Sequence, residues 1–571
     1  MARLIYSRLR INGKLTAETP LHVGGIGGNA DSDMALAING KGEFYVPGTS
    51  ITGVLRAWCE RSFGRKLTED IWGFQEKNSQ IAGTKKDESH ASFVLVEDAT
   101  IENAKDVLTE IRDGVGIDRF YGTAADGAKY DREILPKGSK LDFKMTVEIG
   151  ENRNANQIKA IFGHLLEALQ NGEIRFGGSR TRGLGKLRLS LTKQVSDESL
   201  LGFDKIISAL KRKIETENET TENIDTKAEI ERLIKADKTT KPDSNARLEI
   251  TIDWSPVQPL MVKAGFEGIG VDMLPLTSQK DGGELALVLP GSSIKGSIRS
   301  QAERIMRTLL DCEDKGERFR TKDNPNFHDQ INKIPLVDEI FGAKADSGED
   351  KNGIEKRIKK GRLGALSIDD CFAEKPFDKE IWNEITTAKT TVTNIENNKE
   401  TEVSFGQQPL WQALKKIKHK PKDKTGAEID KEIASFAVEH HNAIDRFTGG
   451  AADGALYSVL APTKISWDKM QISLDFSRIQ NEDRQIEKAE WHKCLMLLLL
   501  VLRDLAENRL PLGFATNRGM GEIEVESIEL KGKNLKEIGL DGDVLIKMEN
   551  GKFTASDDLK KLGGKEWWKT N

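Results

Sequence analysis

The chain has 571 residues, 37% of them hydrophobic and 31% charged, with a formal net charge of −5 at neutral pH. That is apolar material for a sizeable core, divided by length into about three or four ordinary domains. The slight acidic excess excludes a chain that grips nucleic acid by bulk positive charge, so any such contact must come from local basic stretches and backbone donors.

In chain order, "RLRINGKLTAE" from Arg8 alternates as a strand, and "SITGVLRAWCERS" is an amphipathic helix with Ser50 as its N-cap. "SFVLVEDA" and "KLDFKMTVEI" alternate again. "NQIKAIFGHLLEALQNG" is a helix ended by Gly172, and "KLRLSLT" closes the set. The stretch from Arg212 to Ala246 is dominated by Glu, Lys, Thr and Asp and reads as a linker with one or two exposed helical stretches. The same order then returns, with "EKAEWHKCLMLLLLVLRDLAENRL" as a long second helix. Its apolar run, Cys494 to Leu502, is about half the ~20 residues of a membrane span and reads as core. The N-terminus alternates like a strand and has no signal-peptide core, so a cytoplasmic protein without a membrane partner is expected. Cys59, Cys312, Cys371 and Cys494 are scattered and form no C-x-x-C, which indicates neither a zinc site nor a disulfide framework.

The chain is a tandem repeat. "IDRFYGTAADGAKY" at Ile117 and "IDRFTGGAADGALY" at Ile444 agree at eleven of fourteen positions. "PGTSITGVLR" at Pro47 answers "PGSSIKGSIR" at Pro290, "IWGF" at Ile71 answers "IFGA" at Ile340, and "GGSRTRGLGKLRL" at Gly177 answers "GFATNRGMGEIEV" at Gly513. Four motifs in one order mean duplication. Pro47 and Ile117 are 70 residues apart, Pro290 and Ile444 154, so the second copy carries 84 extra residues between them. Most fall in two charged stretches, from Phe341 to Gly364 and from Lys375 to Lys431, which read as surface insertions. The expected domains are 1–197 and 247–530, with a linker at 198–246 and a C-terminal extension at 531–571. The order β-α-β-β-α-β in each copy is the ferredoxin-like pattern, making the fold class α+β.

The motifs suit an anionic chain. Gly177, Gly178, Gly183 and Gly185 in one copy, and Gly513, Gly519 and Gly521 in the other, permit unusual backbone and close approach by another chain. Arg180 and Arg182, and Asn517 and Arg518, stand among them, and amides beside arginine suit phosphates. The helix starts at Gly48–Ser50 and Gly291–Ser293 are candidate anion sites, with Arg56, Lys295 and Arg299 within about two turns. Ahead of each lies a glycine-rich loop ending in Asp-Met, which aligns Asp33 with Asp272. A carboxylate held there can bind a divalent ion or accept a proton. Asp31 is a rival in the first copy alone. No Ser-His-Asp or Cys-His arrangement appears, and His22, His440 and His441 have no counterparts across the repeat, which disfavours histidine catalysis. The lysine-rich Lys415–Lys424 reads as solvated surface.

Two ferredoxin-like units, each with a P-G-[TS]-S-I helix start and a C-terminal glycine loop, resemble the repeat-associated mysterious protein (RAMP) superfamily of CRISPR systems. The Asp-Met loop and the I-D-R-F peptide are similar, more narrowly, to backbone subunits of type III effector complexes, here two of them fused in a type III-D-like way. The resemblance covers about residues 1–195 and 247–530. It implies a subunit that binds guide crRNA and cuts paired target RNA at two sites, with Asp33 and Asp272 catalytic and a divalent ion, Mg2+ or Mn2+, as cofactor. It implies guide contacts at Gly48, Ser50, Arg56, Gly291, Ser293, Lys295, Arg299 and both glycine loops. Arg119 and Arg446 would lie near RNA on projecting thumbs, and other effector-complex subunits would be partners. A guide-binding scaffold that does not cut, or a guide-processing endoribonuclease of the same superfamily, stands as the alternative.

Overall fold

The computed structural model describes residues 4–25, 32–75, 89–102, 108–119, 121–150, 153–199, 224–243, 245–280, 283–314, 334–344, 346–349, 355–359, 361–388, 392–396, 399–403, 408–419, 433–479, 488–549 and 551–553. The chain forms two compact units. One comprises residues 1–111, 132–180 and 184–244; the other comprises 112–131, 181–183 and 245–571. Two short pieces of the first sequence repeat thus count with the second unit, a partition that the motif spacing does not reveal.

The first repeat runs β1 (Ile5–Ala17), α1 (Gly48–Phe63), β2 (Val94–Val96), the hairpin β3 (Glu110–Ile117) and β4 (Ala124–Ile134), β5 (Lys140–Gly150), α2 (Ala155–Gln170), β6 (Leu187–Leu191) and β7 (Ser196–Ser199). β1 pairs antiparallel with β5 on one side and with β6 and β7 on the other, and β5 carries β2 at the edge. The order β6-β1-β5-β2 is that of a ferredoxin-like sheet, as the element order predicts. The two-residue period sends Leu9, Ile11 and Leu15 of β1 and Phe143, Met145 and Val147 of β5 to one face. There they meet Ile51, Leu55 and Cys59 of α1 and Ile158, Phe162, Leu165 and Leu169 of α2. Asn154 caps α2 by accepting from the amides of Asn156 and Gln157.

Two sequence expectations change here. Ser50 is not an N-cap: α1 begins at Gly48 behind Pro47 and has no side-chain cap of its own. And the charged linker is in part packed structure. Its helix α3 (Thr226–Ile234), capped by Asp225, buries Ile230 and Leu233 in the core of the first unit. Glu229, also buried, binds Arg232 at 2.7 Å and accepts the Val195 amide at 2.8 Å. Composition hid this because few side chains of the helix are apolar: Ile230 and Leu233 enter the core and Ile234 packs against it.

The second repeat runs β8 (Arg247–Pro256), α4 (Gly291–Asp314), β9 (Leu366–Asp369), the hairpin β10 (Phe436–His441) and β11 (Tyr457–Pro462), β12 (Met470–Asp475), α5 (Trp491–Ala506), β13 (Ile523–Lys533) and β14 (Val544–Glu549). The order β13-β8-β12-β9 repeats the ferredoxin-like arrangement. β14 pairs with β13 from Ser527↔Lys547 to Leu530↔Val544, so the sheet runs past the expected boundary at 530. The apolar run of α5 is core: Trp491, Cys494, Leu495, Leu498 and Leu502 are buried. The second insertion is not all surface either. Phe377 and Trp382 pack on Phe436, and Leu410, Leu414 and Ile417 are buried beside the exposed Lys415 and Lys416. Lys416 pairs with Glu384 at 2.5 Å; residues 420–424 of the lysine-rich stretch lie outside the described residues.

Candidate nucleic-acid interface

The repeated I-D-R-F peptide is the tip of each hairpin together with its return strand. Its aspartate shapes the turn. Asp118 accepts the Tyr121 amide at 2.9 Å, and Asp445 accepts the amides of Phe447 and Thr448 at 2.7 and 2.8 Å. The Asp118 amide reaches Thr123 O and the Asp445 amide reaches Gly450 O, both at 2.8 Å. The terminal tyrosine meets the glycine loop: Arg182 bonds Tyr130 Oη at 3.4 Å, and Arg518 bonds Tyr457 Oη while lying over the same ring. Sequence reading selected both arginines but neither tyrosine.

The glycine loops share one backbone. Gly177 and Gly513 have φ of 72° and 85°, and a Cβ on either would collide with the carbonyl of His22 or Met261. Gly178 N donates to His22 O at 2.8 Å, and Phe514 N to Met261 O at 2.7 Å. Gly185 N donates to Pro20 O and Gly521 N to Pro259 O, at 2.8 and 2.9 Å. These four amides therefore close the loop on its own chain rather than standing bare for a phosphate. Ser179 and Ala515 share a left-handed conformation (φ 50° and 54°), so the trace survives the change from Gly-Ser to Phe-Ala. Around that trace the chemistry diverges. Beneath the first loop lies His22, its Nδ1 2.7 Å from Glu133 O and its pKa drawn down by burial, and Arg132 bonds Ser179 Oγ. Beneath the second lies an apolar cluster of Met261, Val459, Ala461 and Met520, packed against Phe514 and Ala515. Exposed on the loops are Arg182, Asn517, Arg518 and Gly519, with Arg180 half-buried.

The Asp-Met loops are pinned alike. Met34 O accepts the Glu133 amide at 3.0 Å, and Met273 O accepts the Leu460 amide at 2.9 Å, so each aspartate sits one residue before a fixed point. Asp33 and Asp272 are both exposed. Glu133 also takes the Leu36 amide at 3.0 Å and Thr109 Oγ1 at 2.9 Å. In the second unit Ser458 holds Asp272 directly: its amide and hydroxyl donate to Oδ2 at 2.6 and 2.8 Å. The amide bond, with smaller help from the hydroxyl and from His440, holds this carboxyl below the usual aspartate range against the opposing effect of burial. Asp31 lies outside the described residues. Among the described residues no group of three His, Cys, Asp or Glu side chains is arranged to hold a metal ion. Among the described residues each loop offers a single aspartate carboxylate, a donor set that suits Mg2+ only where substrate phosphate and water complete the shell.

The helix starts need correction. The first amide of α1, Gly48 N, donates to Asp98 Oδ1 at 2.7 Å, and that of α4, Gly291 N, donates to Asp370 Oδ1 at 2.8 Å. The positive end of each helix already holds an internal carboxylate. Both glycines press against strand carbonyls, of Val96 and Ile368, where a Cβ would collide. Lys295 is buried and donates to Leu366 O at 2.7 Å, so it faces away from solvent. Ser50, Ser293 and Arg56 are half-buried. Arg299 spans Glu303 (2.8 Å) and Gly342 O (3.0 Å), and Arg119 reaches the same buried Glu303 at 2.7 Å. Arg446, the counterpart of Arg119, is exposed. Gly183 is a packing residue: with Arg182 it pairs parallel to β9, at Asp369. In sequence, "VEDA" at Val96 answers "IDDC" at Ile368, a register that would have flagged Asp98 and Asp370.

The RAMP superfamily model matches residues 14–188 and 257–524, which is most of the chain and both repeats. The chain belongs to the RAMP superfamily. It carries the RAMP domain twice, each copy ferredoxin-like. It is also similar to a protein of Methanocaldococcus jannaschii described as CRISPR system Cms endoribonuclease Csm3, with 30% identity over 197 residues, 31% of this chain and 77% of that relative. Among the described residues no helix is long and apolar enough to cross a membrane.

Proposed function

We propose that this RAMP protein is a double backbone subunit of a type III CRISPR effector complex, which binds guide crRNA and cuts complementary target RNA at two places. The observation that carries this reading is the duplicated Asp-Met loop, fixed in each repeat by the same backbone bond to the return strand of the I-D-R-F hairpin. Two exposed carboxylates, each beside such a hairpin, support two cuts. The exposed Arg182 and Arg518, steered by Tyr130 and Tyr457, supply charge for an RNA backbone. Recognition of that kind reads phosphate and sugar, and base pairing with the guide supplies sequence.

RNA brings its own nucleophile, the 2′-hydroxyl. A hairpin that splays one target nucleotide aligns this hydroxyl with the adjacent phosphorus. Asp33 or Asp272 then accepts its proton as the 2′-oxygen bonds to phosphorus and the P–O5′ bond breaks, leaving a 2′,3′-cyclic phosphate and a 5′-oxygen that takes a proton from water. Mg2+ or Mn2+ held by the same carboxylate would neutralise charge on the phosphate oxygens. No histidine is shared by the two repeats for such a role.

One contact supports assembly with further effector subunits. Arg119 of the first I-D-R-F peptide is bound by Glu303 of α4. Their counterparts Arg446 and Glu60 are both exposed, and Phe447 at the second tip is 98% exposed. The second hairpin is suited to make the same contact with a neighbouring subunit.

Incubating the assembled complex with labelled complementary RNA, with Mg2+ or with chelator, tests the proposal. Asp33→Ala should remove one product and keep the other, and Asp272→Ala should do the reverse. If both single variants give every wild-type band, the assignment fails. A complex that cuts nothing is a scaffold, and cleavage of precursor guide without target marks a processing enzyme.

A further inference from the structure

Resting on the proposed cleavage, we infer that Ser458 is a positioning residue for the second cut alone. It stands directly after Tyr457, the last residue of the second I-D-R-F peptide. Its amide and hydroxyl both donate to Asp272 Oδ2, at 2.6 and 2.8 Å, and its Oγ accepts the Asp272 amide at 3.1 Å. Its carbonyl takes the Met273 amide at 3.0 Å. Four bonds between one serine and two consecutive loop residues fix the carboxylate in a single orientation. They commit Oδ2 to the clamp and leave Oδ1 to meet substrate. Ser458 is buried while Asp272 is exposed, so the fixed side chain supports the reactive one from beneath.

The first repeat cannot copy this device. The residue after Tyr130 is Asp131, which has no hydroxyl at this position. There Glu133 helps to secure the loop by taking the Leu36 amide. The two cutting sites therefore depend on different supports, and only the second needs a hydroxyl at this position.

The test uses the assembled complex and labelled target RNA, with each product band timed separately. Ser458→Ala should lower the rate constant of the second cut about ten- to a hundredfold, with target affinity and the first cut unchanged. Ser458→Thr keeps the hydroxyl and should restore most of the rate. The first band reports folding and assembly in the same lane. Wild-type rate of the second cut in Ser458→Ala, or equal loss in the Ala and Thr variants, overturns the inference. Asp272→Ala run alongside separates the two readings. If its second band survives, the proposed cleavage role of Asp272 falls and this inference with it. If that band is lost but Ser458→Ala cuts normally, only this inference falls.

Discussion

Asp98→Ala and Asp370→Ala are the same substitution in the two repeats and should differ widely in cost. Each carboxylate accepts the first amide of a helix, at 2.7 and 2.8 Å. Asp98 is exposed, so water can take its place, and losing such a cap costs about 1 kcal/mol. The Asp370 side chain is fully buried and also holds Arg112 Nη1 at 2.7 Å, with the Arg112 side chain 9% exposed. Burial pushes the Asp370 carboxyl up, and Arg112 opposes that shift. Removing Asp370 takes the paired carboxylate from a buried guanidinium, whose Nη2 also donates to Ser278 Oγ at 2.9 Å. Breaking a buried pair from one side costs about 3–5 kcal/mol. Hydrogen exchange read by mass spectrometry on peptides from α1 and α4 measures both in one molecule without assuming a single unfolding step. Protection of α4 should fall about a thousandfold in Asp370→Ala, and that of α1 about fivefold in Asp98→Ala. Arg112→Met combined with Asp370→Leu should recover much of the α4 loss, because the stranded charge is gone. Equal losses in the two helices, or a double variant worse than Asp370→Ala, would refute this account of the cluster.

Two further outcomes follow from the same structure. Arg446→Glu should leave the fold intact and weaken assembly with other effector subunits, read as lower recovery of those subunits with the tagged chain; undiminished recovery speaks against the hairpin contact. Leu233→Ala, at a side chain 1% exposed, should cost about 2–5 kcal/mol and open residues 226–234 to protease, whereas a solvated linker helix would show neither change.

The sheets were legible because their signals are local and repeated. The two-residue alternation of β1 and β5 and the apolar run of α5 each state a buried face, and duplication gave every weak segment a second reading. What the sequence concealed depends on partners far along the chain. Lys295 looks like a first-turn cation but reaches Leu366 O, 71 residues away. Arg119 looks like an RNA contact but meets Glu303, 184 residues away. A charged residue in a motif has the same letter whether it faces water or a buried carboxylate. The glycine loops were read correctly as places of unusual backbone, since φ is a property of the residue itself. Their amides were misread as open, because which carbonyl they meet is a property of the fold. Ser458 and the tyrosines were missed for the opposite reason: each is an ordinary residue in a strand, and only the loop beside it sets what it bonds.

The divergence between the repeats has a pattern. Where a position shapes the backbone, both copies agree: Gly177 and Gly513, Asp118 and Asp445, and the paired positive φ of Ser179 and Ala515. Where a position touches what lies beneath the loop, they part: His22 against Met261, Arg132 against Val459, Asp131 against Ser458. Decay of a redundant copy would strike both classes alike, and loss of a loop glycine costs as much in one unit as in the other. Retention of the trace with exchange of its lining instead describes two sites held to one geometry and adapted to different surroundings. The first keeps a polar floor with a charged arginine, and the second keeps an apolar floor with a serine clamp. On the proposed function, the charged floor of the first site predicts that the salt dependence of the two cuts differs, the first falling more steeply as charge is screened.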